Sequence, residues 1–312
     1  MGLLKRSKLL MNVREILEQA RNEGFALGAF NAGNLEITKA IVQASESQNI
    51  PLIIETSSGE AEHFGQKNFL DVVKNFKEKN NLSLFTNLDH GSGLEECQKA
   101  IELGYDLIHF DGSSLPMEEN IKITKVLVEQ AHQKGILVEA EIDKILGESQ
   151  KNKESSESIQ AMANYTDPDK AFDFISQTGC DILAVFVGNL HGVYQDSPKL
   201  DLDRLRILAQ KLPCFLSLHG GSGLQEEDIK KAISVGRVIK ININTELRLA
   251  YRETLENVLR GSDEIAIYKL MPPVIAAVQK IVEEKIQLFK SLKQEDQEQK
   301  EQPNNQEEQN EI

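Results

Sequence analysis

Short apolar, β-branched runs recur along this chain with segments of helical period between them, and that alternation most constrains what the chain can fold into. The runs fall at residues 27–31 (LGAFN), 51–56 (PLIIET), 82–88 (LSLFTNL), 106–111 (DLIHFD), 135–141 (GILVEAE), 181–188 (DILAVFVG), 213–218 (PCFLSL) and 237–243 (RVIKINI). Helical patterns lie between them, among them 35–47, 69–79, 94–103, 118–134, 168–178 and 202–211. Asp167-Pro168 marks one helix start, an N-cap acceptor followed by proline at the first helical position. Repeated strand–helix units build a parallel sheet. Eight of them predict an α/β chain in one domain, a (β/α)8 TIM barrel over residues 11–290, in preference to a doubly wound sheet. No G-x-G-x-x-G follows any run, so a dinucleotide fold has no support.

The remaining segments read differently. Residues 1–10 form a short, basic, weakly apolar extension without the long hydrophobic core or small-residue cleavage site of a signal peptide. Residues 291–312 are rich in Gln and Glu and nearly devoid of apolar side chains, which predicts a disordered tail. That tail has seven acids against two lysines, so it carries five of the fourteen excess negative charges. A net charge of -14 argues against nucleic-acid binding, which needs a basic face. No stretch approaches the roughly 20 apolar residues of a membrane span. Three cysteines, Cys97, Cys180 and Cys214, in no metal-ligand spacing point to a reducing, cytoplasmic setting. Between Glu141 and Tyr165 a polar stretch exceeds the usual connection length, as lids and disordered loops do.

Chemically capable residues gather where the predicted strands end, the face on which barrels of this kind build their sites. Asp89-His90-Gly91 ends the third strand, Asp111-Gly112 the fourth and Glu141 the fifth. His191-Gly192 follows the sixth, His219-Gly220-Gly221-Ser222-Gly223 the seventh, and Asn242-Ile243-Asn244-Thr245 closes the eighth. One histidine beside a glycine is commonplace; three on one rim offer the three imidazole ligands of an open catalytic metal site. Of the other histidines, His109 is expected in the core or behind the site, and His63 and His132 at the surface. The glycine-rich turn after His219 supplies flexible backbone donors for a phosphate.

These residues resemble the class II, metal-dependent fructose- and tagatose-bisphosphate aldolases across nearly all of residues 11–290. The likeness rests on G-A-F-N-x-x-N-L-E (28–36), L-D-H-G-S (88–92), D-G-S-x-L-P-x-E-E-N (111–120), V-E-A-E (138–141), Y-T-D-P (165–168), G-x-x-H-G-V-Y (188–194), H-G-G-S-G (219–223) and K-I-N-x-x-T (240–245). The resemblance implies His90, His191 and His219 as ligands of Zn2+, or of Co2+ in its place, with Asp111 and Glu141 as ligands at an alternative position. It implies Asp89 as the acid/base at the aldehyde-side hydroxyl and Ser57 as a substrate contact. Gly192, Gly220, Gly221, Ser222, Asn242, Asn244 and Thr245 match the cradle for the ketose phosphate, supported by a monovalent cation, Na+ or K+. The implied reaction is reversible cleavage of a ketose 1,6-bisphosphate, foremost fructose 1,6-bisphosphate, to dihydroxyacetone phosphate and glyceraldehyde 3-phosphate through a zinc-stabilised enediolate. The implied assembly is a homodimer or homotetramer. Alternatives are a tagatose-bisphosphate or other dihydroxyacetone-phosphate aldolase, or a zinc- and phosphate-binding barrel without turnover.

Three departures from the family pattern stand out. The loop reads Leu146-Gly147-Glu148-Ser149, with Ser149 at the register of the usual proton-transfer glutamate. Glu148 is the nearest loop acid, and Glu154 and Glu157 are substitutes. Gly188-Asn189-Leu190 precedes the second histidine-glycine step where smaller or hydroxyl residues are commoner, which predicts an altered pocket floor. The late D-P-R-K, whose arginine helps hold the second phosphate, reads Ala266-Ile267-Tyr268-Lys269, leaving Lys269 or Arg252 to compensate.

Overall fold

The computed structural model describes residues 11–290, so the extension over 1–10 and the tail over 291–312 lie outside the described residues. The strands are β1 (Leu27–Asn31), β2 (Leu52–Ser57), β3 (Leu84–Gly91), β4 (Leu107–Asp111), β5 (Leu137–Glu141), β6 (Gly147–Lys151), β7 (Ile182–Ala184), β8 (His191–Val193), β9 (Phe215–Leu218) and β10 (Val238–Ile243). All but β6 and β8 close into an eight-stranded barrel in the order β1-β10-β9-β7-β5-β4-β3-β2. Every neighbouring pair is parallel. Each predicted run thus forms a barrel strand, because its residues are apolar enough to be covered by helices outside and by side chains inside.

Helices Leu94–Leu103, Pro168–Thr178 and Leu202–Lys211 form where the periodicity places them. Asp167 caps the second of these, its side chain accepting from the backbone N–H groups of Asp169 and Lys170. The first described helix, Val13–Glu23, opens with a capping box between Asn12 and Glu15. Its apolar face, Val13, Ile16, Leu17 and Ala20, packs with Leu27, Ile53, Phe85, Leu107, Leu137, Phe215 and Ile239 and so closes the N-terminal end of the barrel.

Two expectations are corrected. The run at 181–188 pairs only over Ile182–Ala184. Beyond it the buried Asn189 side chain takes over the hydrogen bonds, accepting from the Val187 N–H and donating to the Val185 and His219 carbonyls. That asparagine also lies beneath the site, where an altered floor was expected. The polar stretch after Glu141 is ordered into strand β6, paired parallel with β8, and a short helix, Ser156–Gln160.

Candidate metal centre and active site

Side chains alternate along a strand, so residues two apart share a face. On the inward face, rows climbing from the N-terminal end read Ile53-Glu55-Ser57 on β2, Phe85-Asn87-Asp89 on β3, Leu107-His109-Asp111 on β4, Leu137-Glu139-Glu141 on β5 and Phe215-Ser217-His219 through β9. The register keeps them level, with Glu55 opposite Asn87, Ser57 opposite Asp89, His109 opposite Glu139 and Asp111 opposite Glu141. Each row turns from apolar to polar as it rises. Where barrel interiors are ordinarily filled by branched apolar side chains, this one carries two polar storeys under its mouth.

Histidine tautomers follow from their partners. His219 Nε2 lies 2.9 Å from Glu139 Oε1 and His90 Nδ1 lies 3.0 Å from Asp111 Oδ2. A carboxylate acceptor draws the ring proton to the nitrogen facing it and turns the other nitrogen toward the neighbouring ring. Those other nitrogens, His90 Nε2 and His219 Nδ1, face each other at 3.0 Å. Burial would lower His90, but Asp89, Asp111 and Glu141 raise it to about 10, so without a metal His90 donates a proton across this gap; a divalent cation that displaces that proton meets both nitrogens, and the donor set fits a metal ion. His191 stands beside them, its ring centroid 5.1 Å from that of His90 and 6.2 Å from that of His219. Burial, with the neighbouring His90, lowers the His191 pKa to about 3. Burial likewise lowers His219 to about 3 against the pull of Glu139, so both rings are neutral and able to ligate. His90 sits in the left-handed region at φ 50°, where the β3–β4 ladder is irregular between Leu88 and Gly91, a strain of the kind that gathers at functional sites.

The carboxylates divide into two kinds. Burial would raise Asp89, but the charge of His90, with His109, His219 and Lys240 around it, holds it well below the usual carboxylate range. Asn31 donates to Asp89 Oδ2 and Asn242 to Oδ1, each at 3.0 Å, which fixes an ionised base against the cavity. Asp111 likewise stays ionised against its burial, through its bonds with His90 and Ser113. Glu141 goes the other way: burial, with Asp111 close by, pushes it up to about 8 although His90 pulls it down. Beneath them Lys240, fully buried, stands 3.0 Å from Glu139 Oε2 and 3.5 Å from Glu55 Oε2, and donates to Asn242 Oδ1 at 2.7 Å. Lys240 holds Glu139 ionised, and Glu139 in turn orients His219.

Above the cluster opens a cavity of about 570 Å³. Of the predicted site residues, Ser57, Asp89, His90, Asp111, Glu148, His191, Gly192, His219, Gly220, Ser222, Asn242, Asn244 and Thr245 line it. Glu141 lies behind His90, 3.6 Å from its Nδ1. Gly221 is not available as a donor, because its N–H bonds the Asn242 carbonyl at 3.1 Å. The Asn242 amide is engaged below, with Glu55 and Asp89, so it positions the base more than it cradles phosphate. Gly220, at φ 64°, must be glycine, since a Cβ would stand 2.2 Å from the Leu190 carbonyl oxygen. Helix Thr245–Arg260 starts at the cavity, so the positive end of its dipole favours an anion there.

The expected compensating cations are elsewhere: Arg252 pairs with Glu256 and Lys269 with Glu264, both exposed, and neither lines the cavity. The cavity instead carries Lys144 and Arg248, which sequence reasoning missed. Missed as well were Asn31, Glu55, Glu139 and Lys240, although each lies two residues from a predicted site residue or ends the G-A-F-N motif. His63 and His132 are exposed, as expected, although His132 reaches the buried Asp181 at 2.9 Å. His109 is fully buried among the candidate metal donors.

The sequence model of the family described as fructose-bisphosphate aldolase class-II matches residues 11–294. The fructose-bisphosphate aldolase of Streptococcus pneumoniae serotype 4 is 38% identical over 297 residues, covering 90% of this chain and 98% of that protein. That of Staphylococcus aureus strain Mu50 is 35% identical over 284 residues, covering 90% and 97%. Among solved structures, the YdjI aldolase from Escherichia coli K12 superposes with a TM-score of 0.77 at 33% identity, covering 91% of this chain and 98% of that one. With the motifs on one rim of a closed barrel and these relatives spanning it end to end, the chain belongs to the class II fructose-bisphosphate aldolase family, whose members are metal-dependent lyases.

Proposed function

We propose that this chain cleaves fructose 1,6-bisphosphate reversibly to dihydroxyacetone phosphate and glyceraldehyde 3-phosphate, with Zn2+ as its metal. The observation that carries the reading is an ionised Asp89, fixed by Asn31 and Asn242 on the wall of the cavity, beside three converging imidazoles. A zinc ion held by His90, His191 and His219 supplies Lewis acidity at the ketose oxygens. Asp89 takes the C4 hydroxyl proton as the C3–C4 bond breaks and returns it on condensation. The ketose phosphate sits over Gly220 and Ser222 at the start of helix Thr245–Arg260. The second phosphate meets Lys144 and Arg248, the cationic side chains of the cavity wall.

Glu148 is the loop carboxylate assigned to proton exchange at the dihydroxyacetone-phosphate carbon, and its place on the cavity wall supports a catalytic barrel over a merely binding one. On family grounds the chain works as a homodimer or homotetramer with a monovalent cation near the phosphate. Exposed Leu259, Ile265, Ile267 and Tyr268 offer an apolar surface for such an assembly.

The test is a coupled cleavage assay on fructose 1,6-bisphosphate and its tagatose epimer, before and after EDTA treatment and Zn2+ addition. Chelation abolishes cleavage and zinc restores it; Asp89→Asn lowers kcat by about a hundredfold or more while zinc stoichiometry is kept. Stoichiometric zinc without turnover of either epimer overturns the reading.

A further inference from the structure

His109 carries the same arrangement as the ligand His219, on the other side of the same glutamate pair. The His219 ring is backed at Nε2 by Glu139, and His109 Nε2 faces Glu141 Oε2 at 3.5 Å. Glu139 and Glu141 are neighbours on the inward face of β5. Both His109 Nε2 and Glu141 Oε2 are buried without a hydrogen bond among the described residues; the other nitrogen near Glu141 Oε2, His90 Nδ1 at 3.6 Å, is already engaged by Asp111, which leaves His109 Nε2 to Glu141. The opposite ring nitrogen, His109 Nδ1, accepts the backbone N–H of His90 at 3.2 Å. An atom that accepts an N–H carries no proton, so Nδ1 is the bare nitrogen, as it is in His219.

The two bare nitrogens also point at one place. His109 Nδ1 and His219 Nδ1 each lie 3.8 Å from Asp89 Oδ1. The His109 ring centroid is 4.5 Å from that of His90 and 4.7 Å from that of His219, closer to both than His191 is. Ligand atoms of Asp89, His90, His109 and His219 all fall within 4.8 Å of one another, a group that does not include His191. Donors bound at about 2.0–2.1 Å in a tetrahedron stand about 3.3 Å apart. The separations, 3.0 Å between His90 and His219 and 3.8 Å to Asp89, bracket that value.

We propose that His109 is a ligand of a second, deeper position for a borderline divalent cation, made with His90 and His219 and closed by Asp89, below the outer position that His191 completes. It rests on the metal-dependent reading of the site. Occupying the deeper position costs the contact from the His90 N–H, which a cation replaces at the same lone pair, with no change of tautomer.

The test uses the full chain, stripped of metal and reloaded with zinc, as wild type, His191→Ala, and His191→Ala/His109→Met. Zinc stoichiometry, affinity by competition with a chromophoric chelator, and the imidazole count from zinc X-ray absorption are read on each. His191→Ala is expected to keep about one zinc per chain with three imidazole ligands, and the double variant to bind about a hundredfold more weakly or worse. Two imidazoles in His191→Ala, or equal affinities in the single and double variants, overturns the proposal. If His109→Met does not fold, the imidazole count in His191→Ala decides alone. A wild type that binds no zinc or cobalt removes the metal reading itself, whereas a wild type that binds zinc while His191→Ala binds none removes only the deeper position.

Discussion

The two ends of the barrel interior are built on the same strands and obey opposite rules. At the N-terminal end, Ile53, Phe85, Leu107, Leu137, Phe215 and Ile239 meet the apolar face of helix Val13–Glu23, each buried side chain contributing about 1.5–3 kcal/mol without regard to direction. Four residues further along, the same rows present Ser57, Asp89, Asp111, Glu141 and His219, with the polar storey of Glu55, Asn87, His109, Glu139, Ser217 and Lys240 between. Here burial is unfavourable unless every charge meets a partner. The apolar end stabilises the fold, and the polar end, held together by pairing, gives His90, His109 and His219 fixed carboxylate partners.

Removing one member of the pairing should do the most damage. Lys240→Met leaves Glu139 buried without its countercharge, and denaturant unfolding should show a loss of about 3–5 kcal/mol together with weaker zinc binding. A loss under about 1 kcal/mol would mean that pairing does not hold this end. A trim at the other end should be smaller and functionally silent: Ile53→Val should cost about 1 kcal/mol by thermal melting and leave zinc affinity and kcat where they were. An accompanying change in zinc affinity would show that the two ends are not independent.

The remaining effect is one of pH. Burial, with Asp89 nearby, raises Glu55 to about 8 in the folded protein, from an ordinary value of 4.5. Between those values the folded state holds a proton that the unfolded chain has lost, so the contribution is complete below about 4.5 and is lost as pH rises through 8. Glu55→Gln removes the dependence. Its stability relative to wild type should rise steadily between pH 5 and pH 8, and a gap that stays flat in melts over that range would place an ionised Glu55 in the fold.

Much of this was legible in the sequence for identifiable reasons. Strands of the barrel are apolar on both faces at their beginnings, so their runs stand out, and the site motifs follow because each sits where a run ends. The polar storey was less visible: Glu139 two before Glu141, and Lys240 two before Asn242, have the right spacing, but nothing local tells an inward charge from an outward one. His109 has the same spacing with Asp111, yet no glycine follows it, and its role depends on rings from β3 and β9. Gly147–Lys151 has no apolar alternation at all and becomes a strand only because residues 191–193 lie alongside it. Arg248 belongs to no motif and reaches the cavity from the first turn of a helix.

That two-stranded pairing has a mechanical meaning. The His191 N–H bonds the Leu146 carbonyl and the Asn152 N–H bonds the Val193 carbonyl, each at 2.8 Å, so the segment carrying Glu148 and the segment carrying His191 form one ribbon across the mouth of the cavity. Any swing that takes Glu148 away from the cavity must either break those bonds or carry the outer imidazole with it. On the proposed assignments of Glu148 as loop base and His191 as a metal ligand, base and ligand therefore sit on a single part, separate from His90 and His219, which are seated on the barrel wall.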